Sequence, residues 1–79
     1  MRLHIEYTDT YGGQANYSWV YRHSATLPDD TSDLALVRYA KKHLGISGVR
    51  CDRKSWFDLI ELRPRGMCTV LFLTFGSDA

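Results

Sequence analysis

The stretch "WFDLIELRPRGMCTVLFLTF", residues 56–75, decides the fold of this chain. Two runs rich in β-branched, aromatic and other apolar residues, "WFDLIEL" and "MCTVLFLTF", flank the short segment "RPRG". Composition of this kind is typical of strands, and Pro64 and Gly66 favour a tight turn between them. The sequence therefore predicts a β-hairpin with Pro64–Arg65 at its tip.

Both faces of this predicted hairpin are apolar. Ile60 and Leu62 fall on one face, whereas Leu59, Val70 and Phe72 fall on the other. An antiparallel sheet with one solvated face should instead alternate apolar and polar residues. A single helix covers only one face, so the second face is either packed under loops or offered to another chain. The sequence leaves these two alternatives open.

The segment "ATLPDDTSDLALVRYAKKHLG", residues 25–45, predicts the one helix. Asp33 complements the positive end of the helix dipole, and Gly45 can end the helix. We expect the helix to span about residues 31–44 and to bury Leu34, Val37 and Leu44, which recur at helical spacing. Its N-cap is one of three polar residues: Asp30, Thr31 or Ser32.

The N-terminal part predicts a second hairpin. Leu3, Ile5 and Tyr7 alternate with polar residues, and "NYSWVYRH", residues 16–23, has the composition of a strand. The paired glycines between them, Gly12 and Gly13, are followed by a strand and have no nearby Lys or Arg. A phosphate-binding loop needs a following helix, so the glycines are expected to supply the positive φ angles of a hairpin connection.

The register of this hairpin decides where three large aromatic side chains lie. With a strict two-residue tip, the aromatic row lies on the wetter face; with one residue more or fewer, the row joins the core. Large aromatic residues are more often buried, which favours the core. The residues concerned are Tyr17, Trp19 and Tyr21.

These elements predict the α+β class: one antiparallel sheet of four to five strands with one α-helix packed on it. The order is β-β-α-β-β, with a possible short extra strand after the helix around Val49 to Cys51. The 79 residues, 44% of them hydrophobic, fit a single domain spanning residues 1–79. No secretory signal or membrane span is recognisable, so we expect a cytoplasmic protein with Cys51 and Cys68 as reduced thiols.

Charge is unevenly distributed along the chain. Residues 1–37 carry five acids against two cations, whereas residues 38–65 carry eight cations against three acids. A molecule with two oppositely charged parts can orient itself on a charged partner, and arginine pairs carboxylates with its planar fork. We therefore predict a partner-binding surface in the basic part of the chain. Its residues are Arg50, Arg53, Lys54, Arg63 and Arg65.

Catalytic and metal-binding patterns are not recognisable. The histidines and cysteines lack CxxC or HxxxH spacing, which argues against a zinc site. Asp58 and Glu61 lie three apart on a predicted strand and point to opposite faces, so they cannot act as a carboxylate pair. We therefore expect neither an enzyme nor a bound cofactor or metal. The residues considered as metal ligands are His4, His23, His43, Cys51 and Cys68.

The segment "YTDTYGGQANYSWVYR", residues 7–22, resembles small proteins encoded by phages and mobile elements of bacteria. In its small size, its two-signed charge and its lack of a catalytic motif, the whole chain resembles anti-CRISPR proteins in type. This resemblance implies an inhibitor, monomeric or homodimeric, in the cytoplasm of a host bacterial cell. Such an inhibitor binds a CRISPR–Cas complex stoichiometrically and blocks its DNA binding or nuclease recruitment.

A small nucleic-acid-binding module is the alternative. Aromatic side chains on a strand, next to cationic side chains, are a known platform for stacking bases. The net charge of +1 is low for non-specific phosphate binding, which places this alternative second.

Overall fold

A computed structural model of the chain describes residues 1–76. It contains one five-stranded antiparallel sheet and one helix, so the predicted α+β fold is confirmed. The extra strand after the helix lies at Cys51–Ser55, later in the chain than the predicted Val49 to Cys51. The strand order across the sheet is β2-β1-β5-β4-β3. The elements are β1 (Arg2–Asp9), β2 (Val20–Thr26), α1 (Asp33–His43), β3 (Cys51–Ser55), β4 (Leu59–Pro64) and β5 (Thr69–Gly76).

The core lies between one face of the sheet and α1. Alternate residues of the three inner strands point to this face, and the helix and the loop after it close the core from above. Within residues 1–76, no helix has the length and hydropathy needed to cross a membrane. The buried residues of the core are Leu3, Ile5, Leu36, Ala40, Ile46, Ile60, Leu62, Leu71 and Leu73.

Helix α1 is capped at both ends by hydrogen bonds. The Ser32 hydroxyl accepts a hydrogen bond from the backbone N–H of Ala35, which selects Ser32 among the three predicted caps. At the other end, Gly45 has a φ of +74°. The N–H groups of Gly45 and Ile46 donate to carbonyls of the last helical turn, as in a Schellman motif.

The predicted buried face of the helix is partly wrong. Leu36 and Ala40 are fully buried, Val37 and Leu44 are half-buried, and Leu34 is 52% exposed. Leu34 lies two residues before Leu36, about 200° away around the helix, so it points to solvent when Leu36 points to the sheet. The apolar pattern was wide enough to allow either rotation of the helix.

The C-terminal hairpin forms, but its tip differs from the prediction. Leu62 pairs with Leu71 and Ile60 with Leu73, so the connection is the four residues 65–68 rather than Pro64–Arg65. Gly66 adopts a φ of +78° in this turn. A shift by an even number of residues keeps every side chain on its face, which is why Ile60 and Leu62 still share one face of the sheet, as predicted. The structure adds that this face is the one that packs against the helix.

The connection between β1 and β2 is also longer than a two-residue tip. It spans residues 10–19, and Gly12 and Gly13 adopt the predicted positive φ angles of +86° and +92°. The carboxylate of Asp9 organises this loop, because it accepts hydrogen bonds from the Asn16 side chain and from the Ser18 backbone N–H, both at 3.0 Å.

The favoured burial of the aromatic row is wrong. Tyr21 pairs with Tyr7 and lies on the helix side of the sheet, and Trp19 packs edge-on against Tyr7 with ring centroids 5.3 Å apart. Both side chains nevertheless remain 44% exposed. Tyr17 lies in the loop and donates from its hydroxyl to Glu6 on the opposite face.

Loop 10–19 bonds to the second face of the sheet. The Arg63 guanidinium donates to the Gly13 carbonyl at 3.0 Å, and the Thr8 hydroxyl donates to the Trp19 carbonyl at 2.7 Å. Thr8 and Val70, which pair on this face, are fully buried. Of the two alternatives for the second apolar face, packing under a loop therefore holds at this end of the sheet.

Candidate functional site

Strands β3 and β4 form an antiparallel ribbon at one edge of the sheet, and this ribbon carries the predicted partner-binding residues. Asp52 pairs with Arg63, and Lys54 pairs with Glu61. The backbone N–H of Arg65 donates to the Arg50 carbonyl at 2.8 Å, which extends the pairing by one residue pair. The structure thus places all five predicted cations on one ribbon: Arg50, Arg53, Lys54, Arg63 and Arg65. They do not share one face, because Arg53 pairs with the inward-facing Leu62, whereas Lys54 and Arg63 lie on the face away from the helix.

Three of these five cations make ion pairs within the chain. Arg65 donates from Nε and Nη2 to one Asp52 oxygen at 3.0 and 2.9 Å. Arg63 Nε lies 3.1 Å from Glu61, and Arg53 reaches Asp33 of the helix at 3.7 Å. All three pairs are at least partly exposed, so each contributes little to stability and can be exchanged for another carboxylate.

The other two cations are not engaged in ion pairs within residues 1–76. Arg50 and Lys54 are exposed, and within residues 1–76 neither makes an ion pair. Five cations and three carboxylates lie between residues 50 and 65, so the ribbon has only a small positive surplus. A surface of this kind is complementary to a mildly acidic protein surface rather than to a dense row of phosphates.

The tip of this ribbon carries two exposed aromatic side chains that the sequence assigned to a strand. The backbone N–H of Trp56 donates to the Leu59 carbonyl at 2.7 Å, so Phe57 and Asp58 form the turn. Phe57 is 100% exposed and Trp56 is 53% exposed. The signal in the sequence was the pair of polar residues around them, Ser55 and Asp58, which favour a turn.

An exposed leucine lies on the same edge of the molecule. Leu34 follows Asp33, and Asp33 pairs with Arg53 of the ribbon. The N-terminus of the helix, which carries the half-exposed Leu34, is thereby held next to β3. We call the two exposed aromatic residues at the end of the ribbon, Trp56 and Phe57, the aromatic tip.

The two thiols are free, as predicted. Burial raises the pKa of the Cys51 thiol, although the nearby Lys41 ammonium opposes this effect. A raised pKa lowers the fraction of reactive thiolate at neutral pH, so Cys51 is not activated as a nucleophile. Cys68 is exposed in the turn between β4 and β5.

The described residues also contain one contact between a hydroxyl and an imidazole. His4 Nδ1 lies 2.7 Å from Ser24 Oγ across β1 and β2. A nucleophilic serine needs a base that is itself held in place by a third group. The nearby Glu6 carboxylate is instead bonded to Tyr17 and Arg22, so it does not orient His4.

Among residues 1–76, no three His, Cys, Asp or Glu side chains come close enough to hold a metal ion.

In comparisons with known proteins, no protein-family model, no curated protein and no solved structure matches the chain.

Proposed function

We propose that this protein is a small binding protein, not an enzyme, that acts by stoichiometric contact with a partner protein. The contact surface is the ribbon of β3 and β4 with its aromatic tip. The observation that carries this proposal is the complete exposure of Phe57 next to the half-exposed Trp56. Aromatic residues and arginine are the residue types enriched at protein interfaces, and here they occur on one ribbon.

Phe57 offers its whole side chain to a partner. Burying a phenylalanine side chain stabilises a complex by about 1.5–3 kcal/mol, which corresponds to roughly a 10- to 150-fold gain in affinity. Phe57 sits in a two-residue turn, so its ordering costs little beyond what the hairpin already fixes. The residue fits the role of a central anchor in a compact interface.

The cations along the ribbon fit the role of a polar rim: Lys54 lies next to the tip, whereas Arg50 and Arg65 lie at the opposite end of the ribbon. Arg50 and Lys54 are available to carboxylates of the partner, and the three paired arginines can exchange an internal carboxylate for an external one. Charges at a rim mainly accelerate association and select partners of opposite sign. The partner surface should therefore be apolar at its centre and acidic at its margin.

The resemblance to phage and anti-CRISPR proteins suggests which partner to test first. A CRISPR–Cas effector complex would be occluded in its DNA binding or in its recruitment of a nuclease. The protein would act in the cytoplasm of the host bacterial cell, as a monomer or a homodimer. No catalytic turnover is needed for this action, so inhibition should saturate at a fixed ratio of inhibitor to complex.

Titration of purified CRISPR–Cas effector complexes tests the proposal. We expect binding at a fixed stoichiometry and a loss of target cleavage. The double variant Arg50→Gln/Lys54→Gln should bind more slowly, since it removes the two ribbon cations that make no ion pair within residues 1–76. A parallel titration uses a duplex oligonucleotide, for which each neutralised phosphate adds about −0.9 to the salt slope. Micromolar duplex binding that is lost in this variant would refute the proposal and favour a nucleic-acid-binding module.

A further inference from the structure

Four aromatic rings stack where the end of the helix meets β2, on the side of the molecule away from the β3–β4 ribbon. Tyr21 and His23 belong to the strand, and Tyr39 and His43 belong to the helix. The Tyr21 hydroxyl lies 2.8 Å from His43 Nε2, and the Tyr39 hydroxyl lies 3.1 Å from His23 Nε2. Each tyrosine thus pairs with a histidine of the other element.

The two pairs lie on top of each other. The His23 and His43 ring centroids are 3.8 Å apart, with an angle of 20° between their planes. Within each hydrogen-bonded pair the two rings are close to parallel. The angle between the ring planes is 26° for Tyr21 and His43 and 23° for His23 and Tyr39. The cluster is therefore two layers of hydrogen-bonded rings, similar in arrangement to two stacked base pairs. We call these four residues the ring stack.

A row of cations runs along the helix next to the ring stack. Tyr39 and His43 are four residues apart, and Arg38 and Lys42 form the adjacent row at the same spacing. Arg38 and Lys42 are exposed, and neither makes an ion pair within residues 1–76. A surface depression of about 380 Å³ is lined by Tyr39, Lys42 and His43.

We propose that this depression binds an unpaired base of a single-stranded nucleic acid. The base would stack on the ring of Tyr39, beside the ring of His43, and the flanking phosphates would contact Lys42 and Arg38. Stacking on an aromatic shelf next to cationic side chains is how proteins bind single strands without reading their sequence. The site is separate from the ribbon and does not depend on the function proposed for it.

The geometry favours unpaired over paired bases. In a duplex the faces of the bases are covered by their neighbours, so the ring stack could contact only a terminal base pair. Two cations neutralise two phosphates, which predicts a salt slope of about −1.4 for a single strand, from −0.7 for each phosphate. A slope this shallow distinguishes a small defined site from general attraction to a polyanion.

Fluorescence anisotropy with labelled oligonucleotides of about 12 nucleotides tests the proposal. The probes are oligo-dT, oligo-rU and a duplex of the same length, so the DNA and RNA arms distinguish the two sources of unpaired bases. We expect at least one single strand to bind about tenfold or more tightly than the duplex. Duplex binding as tight as that of both single strands would overturn the proposal.

Four variants separate stacking, charge and folding. Lys42→Gln should halve the salt slope, whereas Lys54→Gln on the far edge should leave the slope unchanged. Tyr39→Leu should weaken single-strand binding about tenfold, while Tyr39→Phe keeps the ring and should retain binding. Circular dichroism melts check that each variant is folded, and the Lys42→Gln result stands even if Tyr39→Leu unfolds. Equal effects of Lys42→Gln and Lys54→Gln, or no single-strand binding at about 100 μM and low salt, would overturn the proposal.

Discussion

Leu36 is the residue through which α1 is anchored to the sheet, and its truncation is the sharpest test of the fold. Its side chain is fully buried in the core, whereas Leu34 on the same helix is 52% exposed. Leu→Ala at either position changes the helix propensity by the same small amount. The two variants therefore differ only in what burial contributes, and Leu34→Ala is a matched control for Leu36→Ala.

The expected loss of stability follows from the complete burial of the Leu36 side chain. Leu→Ala at a fully buried position costs about 3 kcal/mol, because apolar transfer energy is lost and a cavity is left. In a domain of this size, each kcal/mol lowers the melting temperature by about 4–8 °C, so Leu36→Ala should lower it by about 12–24 °C. Leu34→Ala should remain within about 0.5 kcal/mol of the wild type.

Thermal and urea unfolding, followed by circular dichroism, measure both variants under the same conditions. The m-value should stay the same, since the unfolded surface changes little. Equal melting temperatures for Leu36→Ala and Leu34→Ala would refute the rotation of the helix described above. A larger loss at Leu34 would indicate the rotation that the sequence alone suggested.

Two further predictions concern side chains with perturbed protonation. Desolvation raises the pKa of Asp9, but the hydrogen bonds from Asn16 and Ser18 outweigh it and leave the pKa below its ordinary value. A carboxyl whose pKa is lowered in the folded state stabilises the protein at neutral pH, and this stabilisation is lost as the pH falls below about 4. The variant Asp9→Asn should therefore flatten the acid part of a plot of stability against pH. An unchanged acid part would exclude Asp9 as the organiser of loop 10–19. Iodoacetamide at neutral pH should label the exposed Cys68 before Cys51, because burial raises the pKa of the Cys51 thiol. Mass spectrometry of timed samples measures the order of labelling. Labelling of Cys51 first would show that this thiol is activated.

Much of the fold could be predicted because it depends on periodicity. The alternation of Leu3, Ile5 and Tyr7 and the capped helix between Ser32 and Gly45 are local signals, and each appears in the structure as an element of the expected type. That Ile60 and Leu62 share a face was also predictable, because a strand has a side-chain period of two. Element type and the sharing of a face were therefore accessible from the sequence, whereas the choice of the buried face was not.

Connection lengths and exposure were not predictable in the same way. The ten residues of loop 10–19 are held by Asp9, and a carboxylate that bonds to residues seven and nine positions later leaves no local pattern. The aromatic tip was misread because Trp56 and Phe57 have the composition of a strand. The pairing of Tyr21 and His23 with Tyr39 and His43 depends on where the helix crosses the sheet, which only the tertiary structure gives.

The central claim is that the aromatic tip anchors a partner protein, and one affinity measurement tests it most directly. The dissociation constant for a CRISPR–Cas effector complex is compared between the wild type, Phe57→Ala and Tyr11→Ala. Tyr11 is 82% exposed in loop 10–19 and serves as the control for removing a surface aromatic side chain. Our account predicts a dissociation constant raised roughly 10- to 150-fold by Phe57→Ala, unchanged by Tyr11→Ala, with equal melting temperatures for all three proteins. Binding by Phe57→Ala at wild-type affinity would contradict it.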